Sequence, residues 1–184
     1  MKDDSMRNLF LEKPSIKHKQ QYEEMMNEWE TYGGRINPGA LRRYSKRIAR
    51  NVSYEEWLKW VEEDSDNATC PPESAPQHLY FLVDDAGRVL GATSIRPCLN
   101  EALKKSGGHM GGGIRPSERM KGYATRMLSL SLPLAKSFGI DRLLITCDKD
   151  NIGSAKAIIN NNGILENEIV EENGNVVQRY WIDL

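Results

Sequence analysis

The 184-residue chain reads as a single α/β domain: a mixed, largely antiparallel sheet with helices on both faces. Three observations predict this. β-rich runs flank tight turns in two places, His78–Val83 with Val89–Ile95 across Asp84–Arg88, and Ile164–Val170 with Val176–Ile182 across Asn173-Gly174-Asn175, the signature of antiparallel hairpins. Segments with apolar residues at helical spacing lie before and between these runs. No repeat or break in composition divides the chain, whose length suits one domain of about 150 residues. With 39% hydrophobic and 28% charged residues it falls in the globular range.

The elements follow in order. Asn8–Glu12 reads as a first strand. Pro14-Ser15 precedes a helix reaching about Thr31, with Ile16, Tyr22, Met25, Met26 and Trp29 near helical spacing and Gly33-Gly34 as its stop. Pro38-Gly39 opens a second helix, Ala40–Arg50, with Leu41, Tyr44 and Ile48 on one stripe. Ser53–Trp60 is a third start, with Ser53 as N-cap and Glu56 at the capping-box position. Asp64–Pro76 is polar and proline-bearing, so a loop is expected. After the first hairpin, Cys98–Lys105 suggests a short helix closed by Gly107-Gly108. His109–Arg115 reads as a strand whose three glycines point to a bulge or to a ligand lying close to the backbone. A helix is expected from about Gly122 to Phe138, with Pro133 kinking it or shifting a turn, then a buried strand at Leu143–Cys147 and a helix at Asn151–Asn160.

Bulk properties exclude several classes. The formal net charge is −1, which favours no charged partner. No apolar run approaches the roughly 20 residues that span a bilayer, and Met1-Lys2-Asp3-Asp4 lacks a secretory h-region. A cytoplasmic protein without a membrane partner is expected. Cys70, Cys98 and Cys147 are odd in number and scattered, and read as reduced thiols rather than a disulfide frame or zinc site. Asp148–Gly153 mimics the start of a calcium loop, but Ile152 and Ile159 occupy ligand positions, so no metal is expected.

The most informative stretch is Arg119-Met120-Lys121-Gly122-Tyr123-Ala124. It joins a glycine-rich strand to a helix start, where backbone N–H groups lack intrahelical partners and the helix dipole favours an anion. Gly122 permits close approach of a phosphate, and Arg119 and Lys121 add positive charge. There is no P-loop Gly-Lys-Ser/Thr, and the glycines stand in the wrong register for a dinucleotide fingerprint.

With this context, Gly111–Ala124 resembles the fourth strand and pyrophosphate loop of the GNAT superfamily of acetyl-CoA-dependent N-acetyltransferases. The loop pattern Gln/Arg-x-x-Gly-x-Gly/Ala is met by Arg119, Gly122 and Ala124, and Asn151–Ser154 resembles the family's Asn-x-x-Ala/Ser helix start. The resemblance covers 78–184 well and 1–77 by element order. It implies one domain over 1–184, with 1–77 as the acceptor-side helical part and 78–184 as the acetyl-CoA-binding core. It implies splayed central strands, with strand four bulged near Gly112–Ile114 so that a backbone N–H there polarises the thioester carbonyl. The cofactor-binding set it implies is Gly113, Ile114, Arg115, Arg119, Met120, Lys121, Gly122, Tyr123, Ala124, Asn151 and Ser154. Transfer would be direct, without an acyl-enzyme.

Many members of the family carry a tyrosine seven residues after the helix-start asparagine, where it protonates the leaving thiolate; here that residue is Ile158. Tyr180 is the candidate replacement. His109, where many members carry a glutamate, is the candidate base, against a structural histidine. Arg42, Arg43, Lys46, Arg47 and Arg50 form a basic face, read either as a solvated surface or as an attractor of an acidic acceptor. Nucleic acid is not expected, because the acidic run Glu55–Asp66 adjoins it. The reading is acetyl transfer from acetyl-CoA to a primary amine of a small molecule or peptide, with a homodimer left open. The alternative is a non-catalytic CoA-binding regulatory module.

Overall fold

A computed structural model describes residues 8–41, 52–65 and 75–184. Seven strands form one sheet in the order β1-β2-β3-β4-β5-β7-β6: β1 (Leu9–Glu12), β2 (His78–Asp84), β3 (Val89–Ile95), β4 (Met110–Ile114), β5 (Arg142–Asp148), β6 (Ile164–Val170) and β7 (Val176–Asp183). Every neighbouring pair is antiparallel except β4 with β5. The helices are α1 (Lys19–Tyr32), α2 (Tyr54–Ser65), α3 (Glu101–Lys105), α4 (Tyr123–Ser137) and α5 (Ile152–Ile159).

Strand alternation distributes the core to both faces. From β2, Leu79, Phe81 and Val83 pack with Tyr22, Trp29 and Trp57 of α1 and α2. Tyr80 points the other way, into a cluster with Leu128 of α4, Ile158 of α5 and Ile145 of β5. The first cluster is aromatic: the Tyr22 and Trp57 rings stack at 4.6 Å, and both residues are buried. Full burial of an apolar side chain of this kind contributes about 1.5–3 kcal/mol, so the two helices are held to the sheet chiefly by these rings.

Local signals explain the ends. Ser53 and Glu56 form the expected capping box: Glu56 N–H donates to Ser53 Oγ at 3.1 Å and Ser53 N–H to Glu56 Oε2 at 3.2 Å. The helix they start continues to Ser65, beyond the Trp60 the sequence suggested. Near the N-terminus a 3-10 turn, Ile16–His18, precedes α1. The third helix begins at Glu101 rather than Cys98, because Asn100 caps it by accepting from Leu103 N–H at 2.9 Å. Pro133 lies within a continuous α4. The helix expected over Ala40–Arg50, with its basic face, lies largely outside the described residues, as does most of the Asp64–Pro76 segment.

Two expectations are corrected. The β4 glycines carry no bulge: β3 and β4 pair in unbroken register from Gly91↔Ile114 to Ile95↔Met110. The register shift falls instead between β2 and β3, at Leu82/Val83. Gly113 is small because a Cβ there would meet the Asn37 carbonyl oxygen at 2.7 Å and Trp29 at 3.1 Å. The second correction concerns the thiols. Cys98 is disulfide-bonded, Cys147 is a buried free thiol, and Cys70 lies outside the described residues. The expectation of three reduced thiols therefore fails at Cys98. No helix among the described residues is long and apolar enough to cross a membrane.

Candidate active site

The parallel neighbours β4 and β5 meet at a single register pair, Met110↔Ile145. His109 N–H donates to the Leu144 carbonyl at 2.8 Å just before it. Beyond that point the strands diverge and leave a slit through the sheet, a cleft of about 210 Å³. Its wall toward the C-terminal helices includes Ala124, Met127 and Leu128 from α4 and Ala157 and Ile158 from α5. Toward the N-terminal helices it is bounded by Arg35, Asn37, Arg96, Gly111, Thr146 and Asp148.

The ladder decides which peptide groups reach the slit. Arg96 N–H donates to the His109 carbonyl at 2.7 Å and Arg115 N–H to the Leu90 carbonyl at 2.8 Å. Antiparallel alternation then turns the peptide groups of Gly111 and Gly113 toward β3, and those of Gly112 and Ile114 toward the gap. A donor aimed at the slit thus arises from plain alternation, with no bulge. Gly112 has a second constraint, since a Cβ there would lie 2.8 Å from Met127 Cε.

The loop between β4 and α4 has the form of an anion cradle. Gly122 is the N-cap of α4 in a left-handed conformation, φ 80°, with open space where a side chain would be. Met120 is also left-handed, φ 63°, and its side chain is 99% exposed, so it contributes backbone rather than packing. Asn151 caps α5 by accepting from Ser154 N–H at 3.1 Å. Ala124, Asn151 and Ser154 all line the cleft, so two sequence signals 27 residues apart in the chain converge on one opening.

Other residues in the expected cofactor set face elsewhere. Arg115 is buried and turned into α1: its Nε donates to Glu28 Oε1 at 2.7 Å and its Nη2 approaches the same oxygen at 2.6 Å. Arg119 donates to the Ile114 carbonyl at 3.1 Å and stacks 4.6 Å over the Tyr32 ring. Lys121 Nζ is paired with Glu118 at 2.9 Å. The side chains of Tyr123 and Ile114 are core, and Gly113 faces Asn37. The loop therefore presents backbone and a helix end, while Arg115 and Arg119 make contacts within the chain.

The two catalytic candidates are both engaged. His109 Nδ1 accepts from Leu144 N–H at 2.9 Å, so the neutral ring carries its proton on Nε2 and has no free lone pair to act as a base. Burial, and then the Arg96 charge, pull its pKa down. The ring stabilises the last joined point of β4 and β5. Tyr180 is buried and donates to Gln178 Oε1 at 2.8 Å; burial raises its pKa. It shares a core cluster with Cys147 and Ile158, which themselves line the cleft. The Cys147 thiol is pushed up to about 11 by burial and by Asp148, so it is neutral and a poor nucleophile near pH 7. Sequence reasoning missed Arg96, Ser94 and Thr146. Thr146 Oγ1 accepts from Gly107 N–H at 2.9 Å and holds the incoming loop against β5. Nothing in the local sequence marks these three: strand register brings Arg96 and Thr146 to the slit and sets the fully buried Ser94 opposite Gly111.

The Acetyltransferase (GNAT) domain family profile matches residues 8–162, and the chain belongs to that acetyltransferase family. Among solved structures, a chimaera of the spermidine N-acetyltransferase SpeG from Vibrio cholerae and hSSAT is 14% identical. It aligns over 95% of each chain with a TM-score of 0.62. The microcin C7 self-immunity acetyltransferase MccE, solved with acetyl-CoA and AMP, is 18% identical over 99% of this chain and 94% of its own, with a TM-score of 0.63. An N-acetyltransferase from Staphylococcus aureus Mu50 is 18% identical over 96% and 98%, at 0.60. No curated protein matches significantly. These likenesses define the fold: a single α/β domain with a seven-stranded, mostly antiparallel sheet.

Proposed function

We propose that the protein transfers an acetyl group from acetyl-CoA directly to a primary amine of a small molecule or peptide. The observation that carries this is the slit between β4 and β5, with a Gly122-capped helix start at one end and unpaired strand backbone along one side. The cradle fits a pyrophosphate: Gly122 leaves open space, and helix N-terminal N–H groups favour an anion. The acetyl thioester supplies the electrophilic carbon. The peptide N–H of Gly112 or Ile114 would donate to its carbonyl oxygen as negative charge develops there. The amine nitrogen forms the C–N bond, the C–S bond breaks, and the amine proton passes to the departing thiolate or to water.

The Cys147 thiol, held neutral in the cleft wall, supports a direct route over an acyl-cysteine. Ile158 supplies no proton, and Tyr180 is packed in a core cluster with Ile158 and Cys147 of the same wall. A thiol of pKa about 8.5 departs without obligatory acid assistance. Residues 78–184 would form the cofactor side and 1–77 the acceptor side of one domain.

A panel of amines, read by thiol release and product mass, tests the activity. Gly122→Asp tests the cradle and should abolish CoA binding by calorimetry, with Gly122→Asn as the uncharged control that also tolerates positive φ. Normal CoA binding by Gly122→Asp would refute the pyrophosphate assignment. CoA binding without turnover of any amine would return the non-catalytic reading.

A further inference from the structure

Arg96 is the anomaly of the cleft. It follows β3 on the side of the sheet away from α4 and α5, is half-buried, and lines the slit. Its Nη1 donates to the Gly108 carbonyl at 3.0 Å, and no carboxylate pairs with it among the described residues. Three other arginines withdrawn from water have acids: Arg115 has Glu28 and Glu24, Arg88 has Glu118, and Arg179 has Glu166. Arg119 has none, but its guanidinium lies over the Tyr32 ring, a contact Arg96 lacks among the described residues. Burial opposes the charge on Arg96 and pulls its pKa down. A cation withdrawn from water with only a neutral carbonyl for company is unfavourable.

Two neighbours point to what completes it. Ser94 is fully buried, and its Oγ has no hydrogen-bond partner. Gly111, paired with Ser94 across the ladder, leaves a gap: a Cβ there would lie 3.7 Å from Arg96 Nη2, 3.8 Å from Ser94 Oγ and 3.8 Å from Pro38 Cβ. These are ordinary contact distances, so packing does not demand glycine as it does at Gly113. A small space over Gly111 therefore has a guanidinium and an unsatisfied hydroxyl in its walls. Among the described lining residues the charged groups are Arg35, Arg96 and Asp148, two cations to one anion, and Asp148 Oδ1 already accepts from Asn175 at 2.9 Å.

We infer that the acceptor is an amine that also bears a carboxylate, seated over Gly111 on Arg96 and Ser94 with its amine directed toward Gly112. The inference rests on the acetyltransferase reading and narrows its substrate class. A guanidinium donates in a fixed fork that matches a carboxylate, and Ser94 Oγ–H supplies a further donor.

The test compares matched acceptors: short amino carboxylates, their amides, the corresponding simple amines, and aminoalkyl phosphates. Wild-type protein should favour the carboxylate over its amide by roughly 10²-fold in kcat/KM, a ratio ordinary for a buried charge-paired contact. Arg96→Met should collapse that ratio, mainly through the acceptor KM, and leave calorimetric CoA binding unchanged. Arg96→Lys should restore part of it, and Ser94→Ala should reduce it less. A ratio unchanged in Arg96→Met, or a preference for simple amines or phosphates, overturns the inference. If CoA binds but no amine turns over, the acetyltransferase reading fails separately. Calorimetric binding of the amino carboxylates to the CoA-loaded wild type and Arg96→Met then decides this one: equal affinities overturn it, and a loss in the variant supports it.

Discussion

Two arginines flank β4, and they are built in opposite ways. Arg115, at its C-terminal end, is enclosed by Glu28, Glu24, Gln21 and the Val89 carbonyl. Arg96, beside its N-terminal end, has one backbone carbonyl. The first ties α1 to the sheet and is complete without any ligand. The second is left short of partners at the edge of an opening. A buried charge whose partners lie within the chain serves the fold; the proposed acceptor carboxylate would complete the one whose partners are missing.

The sharpest way to break this contrast is to remove Glu28. Glu28→Ala strands the Arg115 cation, and a loss of about 3 kcal/mol is expected, the lower end for breaking a buried pair because Glu24 remains nearby. Denaturant unfolding measures it. Burial pushes the Glu28 pKa up, but the hydrogen bonds and charge of Arg115, with Ser117, outweigh this and hold it low. Its contribution is therefore present above the ordinary carboxylate range and lost as pH falls through its lowered value. Next in size, Gly113→Ala forces a methyl against the Asn37 carbonyl and should cost about 1–3 kcal/mol. Gly111→Ala should cost well under 1 kcal/mol yet weaken the acceptor, so the pair separates a glycine that packing needs from one that the site needs.

Acid sharpens the Arg96 side. The folded pKa of His109 is lowered, so the unfolded chain binds its proton first. Stability from this group is complete above about pH 6.5 and falls as pH drops through the lowered value, by at most about 1.4 kcal/mol per pH unit. Protonation removes the acceptor for Leu144 N–H and places a second cation near Arg96. Melting curves between pH 7.5 and 5 should show a smaller drop for His109→Gln. The smallest expected effect is the most telling. Arg96→Met should leave stability within about 1 kcal/mol or raise it, whereas the same change at Arg115, which orphans Glu28, should lower it.

Local chemistry made much of this legible in the sequence. The Ser53–Glu56 capping box, the hairpin turns and the glycine at a helix start each encode their geometry within a few residues. The face assignment of β4, with Gly111 and Gly113 opposite Met110, Gly112 and Ile114, also follows from alternation. Long-range pairing was not legible. Glu28 precedes Arg115 by 87 positions, and no periodicity announces that an arginine near a phosphate-type loop belongs to a helix instead. Ser94 and Arg96 sit in and just beyond an apolar strand, and only the β3–β4 register brings them beside Gly111. Glycines in a strand signal that space is scarce without saying what occupies it. That is why a bulge was expected where the Asn37 carbonyl is the cause.

The single register pair between β4 and β5 has a topological consequence. A seven-stranded open sheet ordinarily has two borders, here β1 and β6, but this one has four, because both strands become borders again past Met110 and Ile145. Amide protons at Gly112 and Ile114 sit near the middle of the molecule yet lack the interstrand partner that slows isotope exchange, so they should exchange like rim protons while Ala92 and Leu143 stay protected. An internal border is screened from other copies by the helices on either side, so the chain can keep a row of unpaired donors without the self-association that an outer border invites.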